Sequence, residues 1–265
     1  MDLLEGKVYK DAAAGIRYIK FGRGEKTMVV VPGLTIGYVT DNADALMEAC
    51  APFADDFTVW VFDIREDVPE GYTIRDMGDD LASAIKTLGL EHVHLYGCSM
   101  GGMESIYIAG TYPELIEKLV VSSTACRANE TTNRVFGNWI RLAKEGKCRE
   151  LTADMGQKIY SEPVFEASRP VFEAMADGLN GEILGRFVNT TAVMLDIDLS
   201  EEAAAIKCPV FVFGAYGDKV MTGEATLQIA DITGAQVYMY GRECSHAIYD
   251  EVPELKVKAR DFFCS

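Results

Sequence analysis

The sequence predicts an α/β fold in which a mostly parallel central sheet is flanked by helices. Continuous apolar, β-branched segments such as residues 27–31 and 58–62 are typical of strands buried on both faces, and helical segments alternate with them along the chain. The length of 265 residues and an apolar content of 49% allow one sizeable domain with a large core.

The elements follow one another from the first residues onward. Asp41 and Asn42 are expected to cap a helix that runs to about residue 53, and Thr73 with Asp76 forms a capping-box pattern ahead of an amphipathic helix. Further short apolar segments are expected to be strands: residues 8–9, 16–21, 93–96, 119–122, 210–213 and 237–240.

Residues 127–198 interrupt this alternation, because they contain helical patches but no buried strand. We therefore expect a helical lid (cap) inserted into a core domain made of residues 1–126 and 199–265. Large apolar side chains of the insertion should form its core, with a subset facing an apolar pocket: Trp139, Phe165, Phe172, Met175, Phe187 and Met194.

The pattern Gly97-x-Ser99-x-Gly101 lies between an apolar strand and an apolar helix. A serine in a tight strand–turn–helix connection is typical of a nucleophile elbow, in which the two glycines permit close backbone approach. The serine oxygen then projects above the sheet, near the N-terminus of the following helix. The pattern predicts that Ser99 is a catalytic nucleophile; a structural glycine-rich turn with a solvated serine is the alternative.

Residues 58–125 resemble the α/β-hydrolase superfamily, and a weaker likeness extends over almost the whole chain. The resemblance is carried by the elbow, by the segment from Trp60 to Arg65 and by the segment that follows the elbow helix. The chain departs from the family pattern after Arg65, where Glu66-Asp67-Val68-Pro69-Glu70 replaces the usual glycines and serine. The resemblance implies the α/β-hydrolase fold, with a catalytic histidine on the loop after the last strand.

A serine hydroxyl needs a base, and this chain offers three histidines. His92 and His94 precede Ser99 on its own strand, roughly 23 and 16 Å away at about 3.3 Å per residue, and are expected to be partly solvated residues at the strand edge. His246 follows the strand at residues 237–240, on the edge of the sheet where ligands bind in open α/β folds. His246 is therefore predicted to be the general base.

The carboxylate that orients this base should come from another strand end on the same edge. Asp218 follows a buried strand and two glycines, and the order Ser99, Asp218, His246 is the order of α/β-hydrolase triads. An Asx-turn beside a glycine is the structural alternative for Asp218. Asp196 and Asp198 are reserve candidates that are otherwise expected to cap a helix near residue 201.

An oxyanion hole needs two backbone N–H donors. The amide of Met100, directly after the nucleophile, is expected to be one, and the amide of Leu34 the other, because Gly33 lets that loop turn towards Ser99. Cys98, next to the nucleophile, is expected to point away from the site and to pack in the core.

Composition restricts the classes of partner. The formal net charge of −16 disfavours nucleic acid and anionic membranes. Residues 1–7 lack the basic and apolar regions of a signal peptide, and no segment approaches the roughly 18 apolar residues that span a bilayer. Seven scattered cysteines are typical of free thiols in a reducing compartment, and three separated histidines offer no metal-ligand cluster.

We therefore expect a cytoplasmic serine hydrolase without metal or other cofactor, which acts on a small, largely apolar carboxylic ester through an acyl-enzyme intermediate. A homo-oligomer is compatible with the sequence, but no feature indicates one. The same triad supports hydrolysis of carbon–carbon, amide or thioester bonds, acyl transfer and perhydrolysis. A non-catalytic ligand-binding receptor on the same fold is the alternative outside enzymes.

Overall fold

The computed structural model describes the backbone of residues 7–10 and all of residues 15–265. The expectation that residues 1–7 contain no signal peptide therefore falls almost entirely outside the described residues. Among the residues that are described, no helix is long and apolar enough to cross a bilayer.

The described residues form one eight-stranded sheet in the order β1-β2-β4-β3-β5-β6-β7-β8. β1 and β2 are antiparallel to their neighbours, and all other adjacent pairs are parallel, which confirms the predicted mostly parallel sheet. The strands are β1 (Lys7–Lys10), β2 (Arg17–Gly22), β3 (Lys26–Val31), β4 (Phe57–Phe62), β5 (Val93–Cys98), β6 (Ile116–Ser122), β7 (Val210–Ala215) and β8 (Gln236–Tyr240).

Helices cover both faces of this sheet. They are α1 (Ala43–Cys50), α2 (Ile74–Thr87), α3 (Met100–Thr111), α4 (Glu130–Lys144), α5 (Cys148–Ile159), α6 (Glu162–Asp177), α7 (Gly181–Ala192), α8 (Ser200–Ala205), α9 (Gly223–Thr233), α10 (Ile248–Glu251) and α11 (Pro253–Cys264). Short 3₁₀ turns at Val39–Asn42 and Ala51–Phe53 flank α1.

The central strands divide their side chains between two apolar clusters, as period-two alternation requires. Val29 and Val31 of β3 pack in the cluster with α2 and α3, whereas Met28 and Val30 pack in the cluster with α1 and α11. Burial on both faces explains why β3 is a continuous apolar run in the sequence.

The sequence predicted the N-terminal cap of α2 correctly but not that of α1. The predicted capping box of Thr73 and Asp76 is present at α2. The predicted capping by Asp41 and Asn42 is wrong, because α1 begins after a 3₁₀ turn and Asn42 makes no side-chain cap bond. The Asp41 carboxylate instead accepts a hydrogen bond from the Arg17 guanidinium at 2.5 Å, a charged pairing that is stronger than a bond to a backbone amide.

Five helices, α4 to α8, lie between β6 and β7, and four of them, α4 to α7, fall within residues 127–198, the segment that the sequence predicted to be helical. Trp139, Phe187 and Met194 are fully buried there, but Met175 is 41% exposed and does not belong to that core. Whether α4–α7 act as a lid remains a prediction.

Candidate active site

Ser99 occupies a strained turn between β5 and α3. Its backbone angles of φ 54° and ψ −121° lie in a region that side-chain-bearing residues rarely adopt. The flanking glycines permit the turn, because a Cβ at Gly97 would lie 2.3 Å from the Ser105 hydroxyl and one at Gly101 would lie 2.1 Å from the Val31 carbonyl oxygen. This local geometry is that of a nucleophile elbow.

The structure brings together the three residues that the sequence singled out. His246 Nε2 lies 2.9 Å from Ser99 Oγ, and His246 Nδ1 lies 2.8 Å from Asp218 Oδ2. All three side chains are buried. With Nδ1 bonded to the carboxylate, Nε2 is free to accept the serine proton, which is the arrangement that general-base activation of a hydroxyl requires.

The second oxygen of Asp218 is bound by its own loop. The amides of Val220 and Met221 donate to Asp218 Oδ1 at 2.7 and 3.0 Å. Burial by itself would raise the pKa of Asp218, but the charge and hydrogen bond of His246, together with the two amides, lower that pKa below its ordinary value. The carboxylate therefore stays ionised and available to stabilise an imidazolium.

The loop that carries His246 is attached to the end of α5. The Ala247 amide and the Ser245 hydroxyl both donate to the carbonyl oxygen of Ile159, at 2.8 and 2.9 Å. The helical segment thus contributes directly to the position of the predicted base.

Two backbone segments, the start of α3 and the loop after β3, lie next to the nucleophile. Met100 is the first residue of α3, and the first N–H groups of a helix have no partner within it. Gly33 lies against the nucleophile, since a Cβ added there would be 3.0 Å from Ser99 Cβ. Leu34 follows Gly33 in the wall of the cavity beside Ser99. The role of Leu34 and Met100 as an oxyanion hole stays a prediction that this arrangement suits.

A cavity of about 240 Å³ opens beside Ser99 and His246. Its walls are mostly apolar, and α4 contributes two of its aromatic rings. The aromatic residues that line it are Tyr96, Phe136, Trp139, Tyr160 and Tyr249. Among the described residues of this wall, Asp250 is the one carboxylate, and none is a lysine or an arginine. A small, largely apolar ligand fits such a wall.

Cys98 lines the same cavity, so the expectation that it points away from the site is wrong. Cys98 lies on the same face of β5 as Tyr96, which also lines the cavity, so strand alternation directs both side chains towards it. Burial raises the pKa of the Cys98 thiol to about 12, which keeps it protonated at neutral pH.

The other candidates lie elsewhere. His92 is exposed beside Glu117, as expected, whereas His94 is buried and packs edge-on against Phe57 and Phe263. The expectation of a solvated His94 is wrong because α11 covers that end of the sheet.

The two reserve carboxylates do not approach the predicted base. Asp196 bonds Asn133, and Asp198 accepts the amide of Ser200 at the start of α8 and pairs with Arg127. Asp198 therefore binds the helix start, as the alternative interpretation held, one residue earlier than expected.

Sequence reasoning missed Asp250, Tyr160 and Tyr249 in the cavity wall. Asp250 lies four residues after His246, and this spacing beside a predicted catalytic residue was the available signal. No local pattern marks Tyr160, which reaches the cavity only because α5 ends against the His246 loop.

Known proteins resemble this chain in sequence. Residues 26–146 match the alpha/beta hydrolase fold family. The candidate carbamate hydrolase RutD of Cronobacter sakazakii is 23% identical over 249 residues, which cover 90% of this chain and 83% of that protein. The same-named protein of Caulobacter is 25% identical over 162 residues, and the match spans 60% of each chain.

Solved structures share the complete architecture. An alpha/beta hydrolase enzyme from a Medee basin deep-sea metagenome library superposes with a TM-score of 0.84 at 19% identity, covering 100% of this chain and 97% of its own. The enol-lactonase from Burkholderia xenovorans superposes with a TM-score of 0.77 at 20% identity, covering 100% and 99%. At these identities the likeness establishes the fold.

Proposed function

We propose that this chain is a serine hydrolase that cleaves a small, largely apolar carboxylic ester. It has the α/β-hydrolase fold, residues 26–146 match that family, and the site geometry supports the proposal. The observation that carries the proposal is the unbroken chain of hydrogen bonds from Ser99 through His246 to Asp218.

In the proposed mechanism, Ser99 Oγ attacks the acyl carbon while His246 Nε2 takes its proton. Asp218 orients the imidazole and stabilises the positive charge that it acquires. The amides of Leu34 and Met100 stabilise the oxyanion, and His246 then gives its proton to the leaving alcohol. Water activated by His246 releases the acyl group and restores Ser99.

The relatives are named for two reactions that are chemically close to ester hydrolysis, the hydrolysis of a carbamate and of an enol-lactone. Carbamates and lactones, like esters, present an acyl carbon to a serine, and the same groups would serve in the same steps. We therefore propose ester hydrolysis as the main activity and include a carbamate and a lactone in the substrate panel.

Intact mass after treatment with a fluorophosphonate tests the nucleophile. We expect one covalent adduct on the wild-type protein, none on Ser99→Ala, and a normal adduct on Ser83→Ala, which removes an exposed hydroxyl on α2. Ester turnover should fall by about 10⁴-fold or more in Ser99→Ala. A folded wild-type protein that forms no adduct and cleaves no substrate of the panel would refute the proposal and favour a ligand-binding role.

A further inference from the structure

In the part of the chain that the structure describes, the mostly apolar cavity beside Ser99 contains one charged side chain, the carboxylate of Asp250. Asp250, on α10, lines this cavity and also lines a second, outer groove of about 540 Å³. Thr35 and Leu46 line both spaces as well, so these three residues form the partition between them. Asp250 therefore borders both the space beside Ser99 and the groove outside it.

Tyr160 and Tyr249 line the same cavity as this carboxylate. The Tyr160 hydroxyl lies 3.4 Å from Asp250 Oδ2, and the ring of Tyr249 lies 5.0 Å from that of Tyr96. Rings next to a carboxylate form the setting in which ammonium groups bind, because the ring faces carry negative potential. Tyr249 already has a cation, Lys256 Nζ, 4.3 Å from its centroid.

The charges around Asp250 leave an excess of negative charge. Lys256 does not line the cavity, and Glu251, next to Asp250, accepts a hydrogen bond from the Ser161 amide at 2.8 Å. The two carboxylates outnumber the one ammonium group. Over the whole chain, the net charge of −16 acts in the same direction.

The outer groove continues into a third space with an acidic rim. Gly37, Tyr38 and Ile183 line both, and the rim adds exposed carboxylates on three segments of the chain. The rim carboxylates are Asp41, Glu66, Asp67 and Glu182.

Two arginines reduce this charge without reversing it. Arg17 pairs with Asp41, and Arg186 stacks on Tyr38 with its guanidinium 4.3 Å from the ring centroid. This acidic rim therefore favours cations over anions near the outer groove, most strongly at low ionic strength.

We propose that the natural substrate is a small ester that carries an ammonium group, with Asp250 as its counter-charge and Tyr160 and Tyr249 as walls around the cation. This inference rests on the proposed hydrolase function for the ester, but the cation site is a property of the cavity and can be measured without turnover.

Calorimetry with a matched pair of ligands tests the site. Choline and 3,3-dimethylbutan-1-ol have the same shape and differ in the charge of the quaternary centre. For the wild-type protein we expect choline to bind about tenfold more tightly than the neutral alcohol, from one charge pair and ring contacts at a partly exposed site. Asp250→Asn should reduce this ratio severalfold, while Asp231→Asn, which removes an exposed carboxylate on α9, should retain it.

Competition locates the site and separates the two proposals. Choline should slow fluorophosphonate labelling of Ser99, and a choline ester should be cleaved with a higher kcat/KM than its 3,3-dimethylbutyl isostere. Equal binding of choline and the alcohol, an unchanged ratio in Asp250→Asn, or choline binding that leaves labelling unaffected would each overturn the cation site. Those results would leave the serine hydrolase standing if neutral esters are cleaved. Selective choline binding with no labelling or turnover would instead refute the hydrolase and the ester substrate, and would leave the cation site.

Discussion

Two buried carboxyl groups flank the turn that carries Ser99: Asp218 on the loop after β7, and Glu104 one turn into α3. Their exposed fractions are 7% and 3%, so burial alone does not distinguish them. His246 and two loop amides lower the pKa of Asp218, whereas burial, with Asp80 nearby, raises the pKa of Glu104 to about 8.

The difference lies in the partners. Among the described residues, none forms a hydrogen bond or ion pair with Glu104, which lines a small cavity of about 20 Å³ together with Gly33, Met100 and the Thr190 hydroxyl group. In the described part of the chain that hydroxyl also lacks a partner. Glu104 is therefore mostly neutral at pH 7, whereas Asp218 is charged. A buried acid in this fold stays ionised where hydrogen-bond donors surround it.

The largest expected effect comes from removing the charge of Asp218. Asp218→Asn keeps the shape of the side chain but stops it accepting the His246 Nδ1 proton, so the imidazole is held in the wrong tautomer. We expect kcat to fall by about 10³- to 10⁴-fold with little loss of stability, as measured by ester hydrolysis and by urea unfolding. A loss of less than tenfold would mean that Asp218 only shapes its loop, as an Asx-turn residue does.

The corresponding amide substitution at Glu104 should change stability and leave catalysis intact, the reverse of what we expect at Asp218. Glu104→Gln should leave kcat near the wild-type value at pH 7 and change the pH dependence of stability. Below its ordinary pKa of 4.5, Glu104 is protonated in both the folded and the unfolded chain. Between that value and about 8, only the unfolded chain releases the proton, so wild-type stability falls as the pH rises through this window.

The glutamine variant lacks this pH dependence. Its stability relative to the wild type should therefore grow between pH 5 and pH 8 by on the order of 3–5 kcal/mol, at about 1.36 kcal/mol per pKa unit. Urea unfolding at the two pH values measures the change, with Glu173→Gln, an exposed position on α6, as the control. A stability difference that is equal at both pH values would mean that Glu104 is ionised in the folded chain.

Gly33 connects the two regions, because it lines both the catalytic cavity and the small cavity of Glu104. A Cβ there would lie 3.0 Å from Ser99 Cβ, tight enough to displace the nucleophile or the loop amides by a few tenths of an ångström. We expect Gly33→Ala to lower kcat by about 10- to 100-fold.

The rate of fluorophosphonate labelling measures this displacement directly. Gly185→Ala, at an open position on α7, is the matched control and should label at the wild-type rate. If Gly33→Ala also labels at the wild-type rate, the loop after β3 does not help to position Ser99.

Sequence reasoning identified the fold and brought out Ser99, Asp218 and His246 because each depends on a short-range signal. A glycine-flanked serine, a strand end with a carboxylate and the third of three histidines can be found without knowledge of packing. The cavity wall could not be found in this way. Tyr160 and Asp250 meet only after α5 docks on the His246 loop, and His94 is buried only because Phe263 of α11 folds over it.

Glu104 illustrates the same limit for electrostatics. In the sequence it is one charge in an otherwise apolar helix, and its pKa of about 8 follows from burial in α3 and from Asp80, which lies on α2. Neither cause is local, because both depend on how α2 and α3 pack against each other and against the sheet.

The smallest expected effect is at Cys98. This residue lines the cavity with Ser99, but burial raises its pKa, as it does for Glu104. With a pKa of about 12, only about one thiol in ten thousand is ionised at pH 8. Iodoacetamide should therefore modify the exposed Cys264 and spare Cys98, and Cys98→Ala should change kcat/KM by no more than about threefold. Peptide mapping of the alkylated protein measures both sites.

Rapid inactivation with the label on Cys98 would mean that the cavity activates any nucleophile in its wall. An unmodified Cys98 would mean that only Ser99 Oγ, which contacts His246, is activated.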